Sequence, residues 1–269
     1  MERPARAEAA DRPPLMPTDP LFYVVGWATT VLVAVGKSAF GGGLAILGIP
    51  LLAIVTQPLQ AAIMVALLVS LMDLMALQRF GRDSWSVPDL IWLLPGLVLG
   101  IGVGYLVFVE VDPRIVTLVI GLITLAFTLH WFMKGRIAPP GTRPVSPPLA
   151  LAAGIASGFT TFIAHAGGPP IAMYLLARGL DKTRFVGTTI VFFTIGNWLK
   201  LPPYISLGLT HRDALWGALA LAPAVPLGIW LGRVVHDRLD QKRLFLACYT
   251  LLAIAAAKLT FDAALSLLR

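Results

Sequence analysis

Polar groups and helix breakers interrupt an apolar segment at residues 37–43. Lys37 and Ser38 come first, and Gly41, Gly42 and Gly43 follow. Lipid offers no partner for the backbone groups that a helix break frees, so such breaks persist where they face protein or a watery cavity. The free N–H groups and positive dipole end of a following helix favour an anion, and glycine lets the backbone approach it closely. We therefore expect an anion site, with the Lys37 ammonium meeting the charge and Ser38 donating a hydrogen bond.

A second break follows in the other half of the chain. It runs from His165 through Gly167 and Gly168 to Pro169 and Pro170. Proline suits the first turn of a helix, where its missing N–H costs little, so the argument for an anion site applies again. The His165 imidazole could bind an anion when protonated or carry a coupled proton, whereas a buried structural histidine is the alternative. Matched breaks in two halves of a membrane protein point to a transport site.

Three further polar residues lie in apolar segments. Asn197 and Lys200 follow the second break, and Asp73 occupies the roughly corresponding segment of the first half. Ionisable groups inside membrane segments are functional candidates by default, and we hypothesise a packed Asp73–Lys200 ion pair. Lys200 could instead lie at the membrane interface, since two prolines follow it. We count Asn197 and Lys200 as substrate-binding candidates, and Asp73 and His165 as coupling or ion-pair candidates.

Several polar and small residues also have a purely structural explanation. Lys37 could lie near a membrane face with its ammonium in water. Thr160, Thr161 and Thr188 could line a polar cavity or bond back to their own helix. The glycines at 100–104 fit close helix packing better than a binding site.

The composition is that of a membrane protein. Of the 269 residues, 57% are hydrophobic and 13% are charged, and the mean hydropathy is +0.81, whereas soluble domains carry about 25% charged residues. The formal charge of +7 does not indicate nucleic-acid binding, because the basic residues lie in short loops as the positive-inside rule requires. Cys248 is the only cysteine, so neither an intramolecular disulfide nor a cysteine metal site is expected. We predict no cofactor, no metal and no catalytic residue.

Ten apolar segments divide into two halves of five. The order of short segment, polar turn, long helix and Pro/Gly-rich helix recurs in both halves. We predict an all-α polytopic membrane protein with two homologous repeats, each of about four long helices plus a short broken or re-entrant helix. The predicted parts are a disordered tail at 1–20, repeats at 21–133 and 149–269, and a cytoplasmic linker at 134–148. The segments are 21–38, 41–55, 58–78, 88–109, 113–133, 149–164, 168–178, 184–205, 213–232 and 243–266.

Loop charge predicts the orientation. If all ten segments cross and the N-terminus is outside, the basic loops fall inside and the acidic loop 110–113 falls outside, as the positive-inside rule requires. One point disagrees, since Arg3, Arg6 and Arg12 would then be outside. An odd number of crossings per half makes the repeats inverted. The short segments are barely long enough to span, and a re-entrant first segment would place the N-terminus inside. The inside loops carry Arg79 and Arg82, Lys134 to Arg143, Arg178 to Arg184, and Arg233 to Arg243.

Several motifs, each weak alone, recur in a characteristic order and spacing. They are Gly41-Gly42-Gly43, Pro50-Leu51-Leu52, His165 to Pro170, Gly179-Leu180, Lys182, Phe185, Gly187-Thr188, Asn197, Lys200 and Leu201. With them the chain resembles the TauE/SafE family of bacterial sulfite and sulfonate exporters over about residues 21–266. The resemblance implies export of a small anion, such as sulfite or an organosulfonate, through the inner membrane.

We predict a multi-pass secondary transporter of the bacterial inner membrane that exports such an oxyanion by alternating access around a midplane site. No G-x-x-x-x-G-K-[ST] run is present, so the proton gradient or membrane potential would supply the energy. An anion channel and an uptake carrier for sulfate or thiosulfate remain alternatives. A hydrolase built on Ser157 and His165 is least favoured, because Ser157 lacks the G-x-S-x-G context. The expected partners are the anion, the bilayer and protons, and a homodimer is one open oligomeric state.

Overall fold

The protein is all-helical in the residues that the computed structural model describes, as predicted. These are 19–42, 45–78, 80–108, 110–134, 143–206 and 212–267, so Gly43, Arg79, linker residues 135–142 and tail residues 1–18 lie outside the description. The α-helices are α1 (Pro20–Phe40), α2 (Gly48–Leu52), α3 (Pro58–Leu77), α4 (Val87–Val107), α5 (Pro113–Lys134), α6 (Pro147–Ala164), α7 (Gly168–Arg178), α8 (Lys182–Ser206), α9 (Arg212–Leu221), α10 (Ala224–Arg238) and α11 (Gln241–Leu267), with 3-10 turns at Ala45–Leu47 and Arg82–Ser84.

Proline helps to decide where several helices begin. At the start of α1, Pro20 occupies the first turn and the Asp19 carboxylate accepts a hydrogen bond from the Leu21 N–H at 2.8 Å. Prolines also occupy the first turn of α3, α4, α6 and α7. First-turn N–H groups have no partner within the helix, so proline costs little there. The residues at these helix starts therefore determine where the helices begin.

Five described helices are long and apolar enough to cross a membrane on their own, and a bent pair adds a sixth. The five are α1, most of α3, α4, α6 and α11, and the pair is α9 with α10. The predicted single segment 213–232 was wrong in detail, since α9 and α10 meet at 49°. Pro223 lies at this bend and provides no backbone N–H to continue the helical hydrogen bonds.

The helices after the two breaks are too short to span a bilayer. Helix α2 has 5 residues and α7 has 11. At 1.5 Å per residue they are about 8 and 17 Å long, against about 30 Å of hydrocarbon. Both lie among longer helices, α2 against α1 and α3, and α7 against α6 and α8. Protein therefore surrounds each of them on several sides.

The two halves interlock. Helix α4, from the first half, packs along α6, the first helix of the second half. Reciprocally, α10 of the second half packs along α1 of the first. The last helices, α5 and α11, pack together, and α3 crosses α8. Both clusters of buried apolar residues draw side chains from both halves, so neither half has a core of its own.

Contacts at successive levels of each interface give the relative helix directions. Helix α1 runs parallel to α9 and α10, α4 runs parallel to α6, and α5 runs antiparallel to α11. The contacting pairs are Gly26–Leu221 and Ser38–Gly232 for the first interface, Gly96–Leu151 and Gly104–Phe162 for the second, and Arg114–Ser266 and Phe127–Tyr249 for the third.

Helices α4 and α6 approach so closely that a glycine is needed at their contact. A Cβ at Gly100 would lie 2.2 Å from the Ile155 carbonyl oxygen, whereas a Cβ at Gly102 would meet nothing within 4 Å. We predict that Gly100→Ala destabilises the protein by about 1–3 kcal/mol, the usual range for overpacking, and that Gly102→Ala does not. Thermal unfolding of the purified protein in detergent measures the difference, and equal losses in both variants would contradict this packing.

Candidate functional site

Both predicted breaks line one cavity. Its volume is about 250 Å³, and its wall includes Gly41 and Gly42 from the first break and His165, Gly167 and Gly168 from the second. The predicted residues Lys37, Asn197 and Lys200 line the same cavity. Residues that lie more than a hundred positions apart in the chain therefore share one internal space.

The first break is a glycine-dependent helix end. The Gly41 N–H donates to the Lys37 carbonyl at 3.0 Å, and the Gly42 N–H donates to the Gly36 carbonyl at 3.2 Å. This nested pair of bonds ends α1 with Gly41 at φ 77° and Gly42 at φ 129°, where a side chain would be strained. The chain then leaves the helix axis at the cavity.

The second break is held by side chains. His165 ends α6 at φ 52°, the left-handed region that a non-glycine residue rarely enters. The Ser157 hydroxyl donates to the Gly167 carbonyl at 2.6 Å. A Cβ at Gly167 would lie 2.6 Å from the Thr161 Cβ, whereas the same position at Gly168 opens into free space. The Gly167–Gly168 backbone is thus fixed on one side and open on the other.

Only the second break is followed by a helix with an appreciable dipole. Helix α7 begins at Gly168 with Pro169 and Pro170 in its first turn, as predicted. After the first break the chain forms a 3-10 turn and the 5-residue α2. The expectation of a matching helix N-terminus there was wrong, since so short a helix aligns few peptide dipoles.

A buried charged cluster lies beside the cavity. Lys37 and Asp73 are 2% and 0% exposed, and the Lys37 Nζ is 2.7 Å from the Asp73 Oδ1. The Asn197 Nδ2 donates to the Asp73 Oδ2 at 2.6 Å. This arrangement argues against a Lys37 ammonium that reaches to the membrane surface. We call Lys37, Asp73, Asn197 and Lys200 the central cluster.

The hypothesised Asp73–Lys200 ion pair was wrong, because Asp73 has Lys37 as its ion-pair partner. Lys200 is only 4% exposed, and its Nζ donates to the Thr161 hydroxyl at 3.0 Å. A neutral hydroxyl does not compensate a buried ammonium. The central cluster therefore contains two lysines and one aspartate, so Asp73 can neutralise only one of the two lysines when all three groups are charged.

The threonines have three different roles. The Thr160 hydroxyl donates to the Ala156 carbonyl of its own helix at 2.7 Å. Thr161 accepts from Lys200 and lines the cavity. Thr188 accepts the Ser86 N–H at 2.8 Å and so ties α8 to the start of α4. The sequence pattern did not distinguish them, because the roles depend on which neighbour each hydroxyl faces.

Two predicted residues differ in whether they reach the cavity, since His165 lines it and Ser38 does not. The His165 Nε2 lies 3.4 Å from the Tyr204 hydroxyl, which also donates to the Phe162 carbonyl at 3.1 Å. Ser38 does not line the cavity; its side chain lies on the face of α1 that packs against Gly232. The substrate-binding role of Ser38 stays a prediction.

An apolar wall from α11 also borders the cavity, and sequence reasoning missed it. It consists of Cys248, Leu252, Ala255 and Leu259 on α11. Their spacing places them on one face of a helix. That period is visible in the sequence, but it only indicates a buried face and does not say that the face borders a cavity.

A second buried ion pair was also missed, since Arg178 was interpreted only as a topology signal. The Arg178 Nε and Nη2 donate to the two oxygens of Asp89 at 2.8 and 3.2 Å. Tyr174 and Ser86 donate to the same carboxylate, each at 2.5 Å. Asp89 is fully buried, and these bonds join the end of α7 to the start of α4.

Two adjacent glycines give a matched test of the second break. We predict that Gly167→Ala lowers the thermal unfolding midpoint, because the new methyl would meet Thr161 and the Ser157 backbone at under 3 Å. Gly168→Ala should leave the midpoint nearly unchanged, since its methyl enters open space. The measurement is thermal unfolding in detergent, and a larger loss in Gly168→Ala would overturn this description of the break.

Comparison with known proteins supports the family resemblance. No curated protein and no solved structure gave a significant match. The family model described as "Sulfite exporter TauE/SafE" matches residues 27–259, which include both breaks, all of the central cluster and the apolar wall. This match covers most of the chain, and the protein therefore belongs to the TauE/SafE family.

Proposed function

We propose that the protein is a secondary transporter that exports a small sulfur oxyanion, sulfite or an organosulfonate, across the bacterial inner membrane. Family membership supports the transporter class. The observation that carries the proposal is the buried cluster with an excess ammonium at a cavity where two broken helices meet. Buried ionisable groups in membrane segments are costly and mark ion or substrate pathways.

We further propose that the halves are inverted repeats. The Lys37–Phe193 and Gly41–Thr189 contacts make α1 antiparallel to α8. The Ser84–Gly187 and Leu97–Gly196 contacts make α8 parallel to α4, which is itself parallel to α6. Helix α1 thus opposes its counterpart α6, and α5 opposes its counterpart α11. Inverted repeats of this kind enclose substrate sites in many secondary transporters.

The cytoplasmic side in this proposal is the end where α4 and α8 begin and α10 ends. The contacts Ser86–Thr188, Lys182–Leu239 and Gln241–Leu180 bring these termini together. The end carries many basic residues, which favours a cytoplasmic location under the positive-inside rule. They are Arg82, Arg178, Lys182, Arg184, Arg233, Arg238, Lys242 and Arg243.

The proposed binding mode uses the groups that line the cavity. The Lys37 and Lys200 ammonium groups attract the anion, and the Asn197 amide and the N–H groups at Gly167–Gly168 are available as hydrogen-bond donors. The crossing of α3 and α8, where Asp73 contacts Asn197, is the contact about which two groups of helices would rock to alternate access. Each group mixes both halves of the chain, one containing α1 and α10 and the other α4 and α6. His165, next to the second break, is the proposed carrier of a coupled proton.

The hydrolase alternative has a specific observation against it. The Ser157 hydroxyl donates to the Gly167 carbonyl, so its proton is directed at the backbone and not at His165. A serine nucleophile needs a base within hydrogen-bond reach of its hydroxyl. We therefore propose a structural role for Ser157 and a non-enzymatic function for the protein.

Transport in proteoliposomes tests the proposal directly. We expect saturable flux of labelled sulfite or an organosulfonate, driven by an imposed pH gradient or membrane potential. Lys200→Gln should lower this flux at least about tenfold, because the buried cavity loses its excess cation. Lys258→Gln is the matched control, since Lys258 is a partly exposed lysine that pairs with Asp262 on α11. Unsaturable flux would indicate a channel, and no flux from folded protein would refute the function.

His165 has a separate prediction. His165→Ala should abolish the part of the flux that an imposed pH gradient drives, because no imidazole remains to take up the coupled proton. Flux should be measured with and without the gradient at equal anion concentration. If the variant keeps the full gradient response, His165 is not the proton carrier, even though the anion site itself would stand.

A further inference from the structure

We infer that Asp73 sets the valence of the anion that the cavity accepts, so that singly charged anions are preferred over doubly charged ones. The inference rests on the proposed function, in that the cavity must bind the transported anion. It goes beyond that function because it specifies the charge of the substrate. It also identifies Asp73, whose side chain does not line the cavity, as the residue that decides this charge.

The charge balance of the central cluster carries the argument. When both lysines are protonated and Asp73 is ionised, Lys37 and Lys200 contribute two positive charges and Asp73 contributes one negative charge. A singly charged anion brings this buried group to neutrality. A doubly charged anion leaves an uncompensated negative charge next to the fully buried Asp73 carboxylate, where like charges interact strongly because the surroundings screen poorly.

Asp73 is well placed to act indirectly. Its two oxygens contact Lys37 at 2.7 Å and Asn197 at 2.6 Å, and both of these residues line the cavity. Lys37 is therefore shared between the Asp73 side chain and whatever anion occupies the cavity. Asp73 is a positioning residue whose charge offsets one of the two cations.

Other titratable groups near the cavity add little to this count at pH 7. His165 and Cys248 line the cavity, and Tyr204 contacts His165. An ordinary imidazole is largely neutral at that pH, and ordinary thiol and phenol groups are protonated. The Arg178 and Asp89 side chains neutralise each other at the far end of α7.

The two repeats differ at this position in a way that creates the excess charge. Asp73 and Asn197 are 124 residues apart, one fewer than Gly42 and Gly167, so they occupy nearly equivalent positions of the two halves. A carboxylate at both positions would cancel both lysines. The amide at Asn197 keeps the hydrogen bond across the α3–α8 crossing without adding a second negative charge.

The test compares two sulfonates of similar size and fixed valence. Propane-1-sulfonate carries one negative charge and ethane-1,2-disulfonate carries two, and neither titrates between pH 6 and 8. Each is titrated into the purified full-length protein at pH 7, and the half-saturating concentration is read from the rise in unfolding temperature. Wild type should require less of the monosulfonate, and Asp73→Asn should shift the ratio toward the disulfonate at least about tenfold.

Two further variants keep the inference falsifiable if Asp73→Asn folds poorly. Lys37→Gln with Asp73→Asn removes the ion pair together and leaves one net positive charge, so the preference for the monosulfonate should return. Asn197→Asp brings the net charge to zero and should weaken binding of both sulfonates. A double variant that prefers the disulfonate, or an Asn197→Asp variant with unchanged binding, would overturn the inference.

Failure of this inference differs from failure of the proposed function. If both sulfonates stabilise wild type equally, and the Asp73→Asn ratio is unchanged, the valence rule is wrong while anion binding stands. If neither sulfonate stabilises wild type and proteoliposomes show no saturable flux, the proposed function fails and the valence rule fails with it.

Discussion

Two lysine ammonium groups and a carboxylate lie in the middle of a largely apolar helical protein, and much of the architecture keeps them away from lipid. Removing a charge from water is costly unless partners compensate it. Asp73 and Asn197 compensate Lys37 from two different helices. Within the described part of the chain, Lys200 has only the Thr161 hydroxyl as its hydrogen-bond partner. The imbalance between these two lysines is the physical basis of the anion site that we propose.

The interlocking of the halves follows from the same constraint. The cavity wall combines residues of α1, α2, α3, α6, α7, α8 and α11, so neither half encloses the site alone. Close backbone contact between α4 and α6, at glycines such as Gly100, brings α6 into a rigid frame. The Arg178–Asp89 pair then fixes α7 to the same frame. Long packed helices thus support short helices that would not be stable in lipid by themselves.

The two breaks are similar in position but differ in construction. Gly41 and Gly42 form the first by adopting positive φ angles, and no side chain is needed. At the second, His165 is held at a positive φ and the Ser157 hydroxyl secures the Gly167 carbonyl. A non-glycine residue in this conformation is strained, and such strain persists where the surroundings impose it. The asymmetry is consistent with our proposal that the second break contributes the proton-carrying side chain, His165.

Helix class, helix starts and the glycine breaks were determined by the sequence alone, because their causes are local. An apolar run of about 20 residues favours a membrane helix, a first-turn proline favours a helix start, and glycine permits a positive φ. Each of these effects depends on neighbouring residues and not on distant parts of the chain. The motif order was also sufficient to indicate the family. Only the tertiary structure decided that Asp73 pairs with Lys37 and not with Lys200, that Ser38 faces α10, and that Arg178 binds Asp89. Those outcomes depend on which side chains come within about 3 Å of each other where distant helices pack together. Residue types and their spacing in the sequence do not predict these contacts.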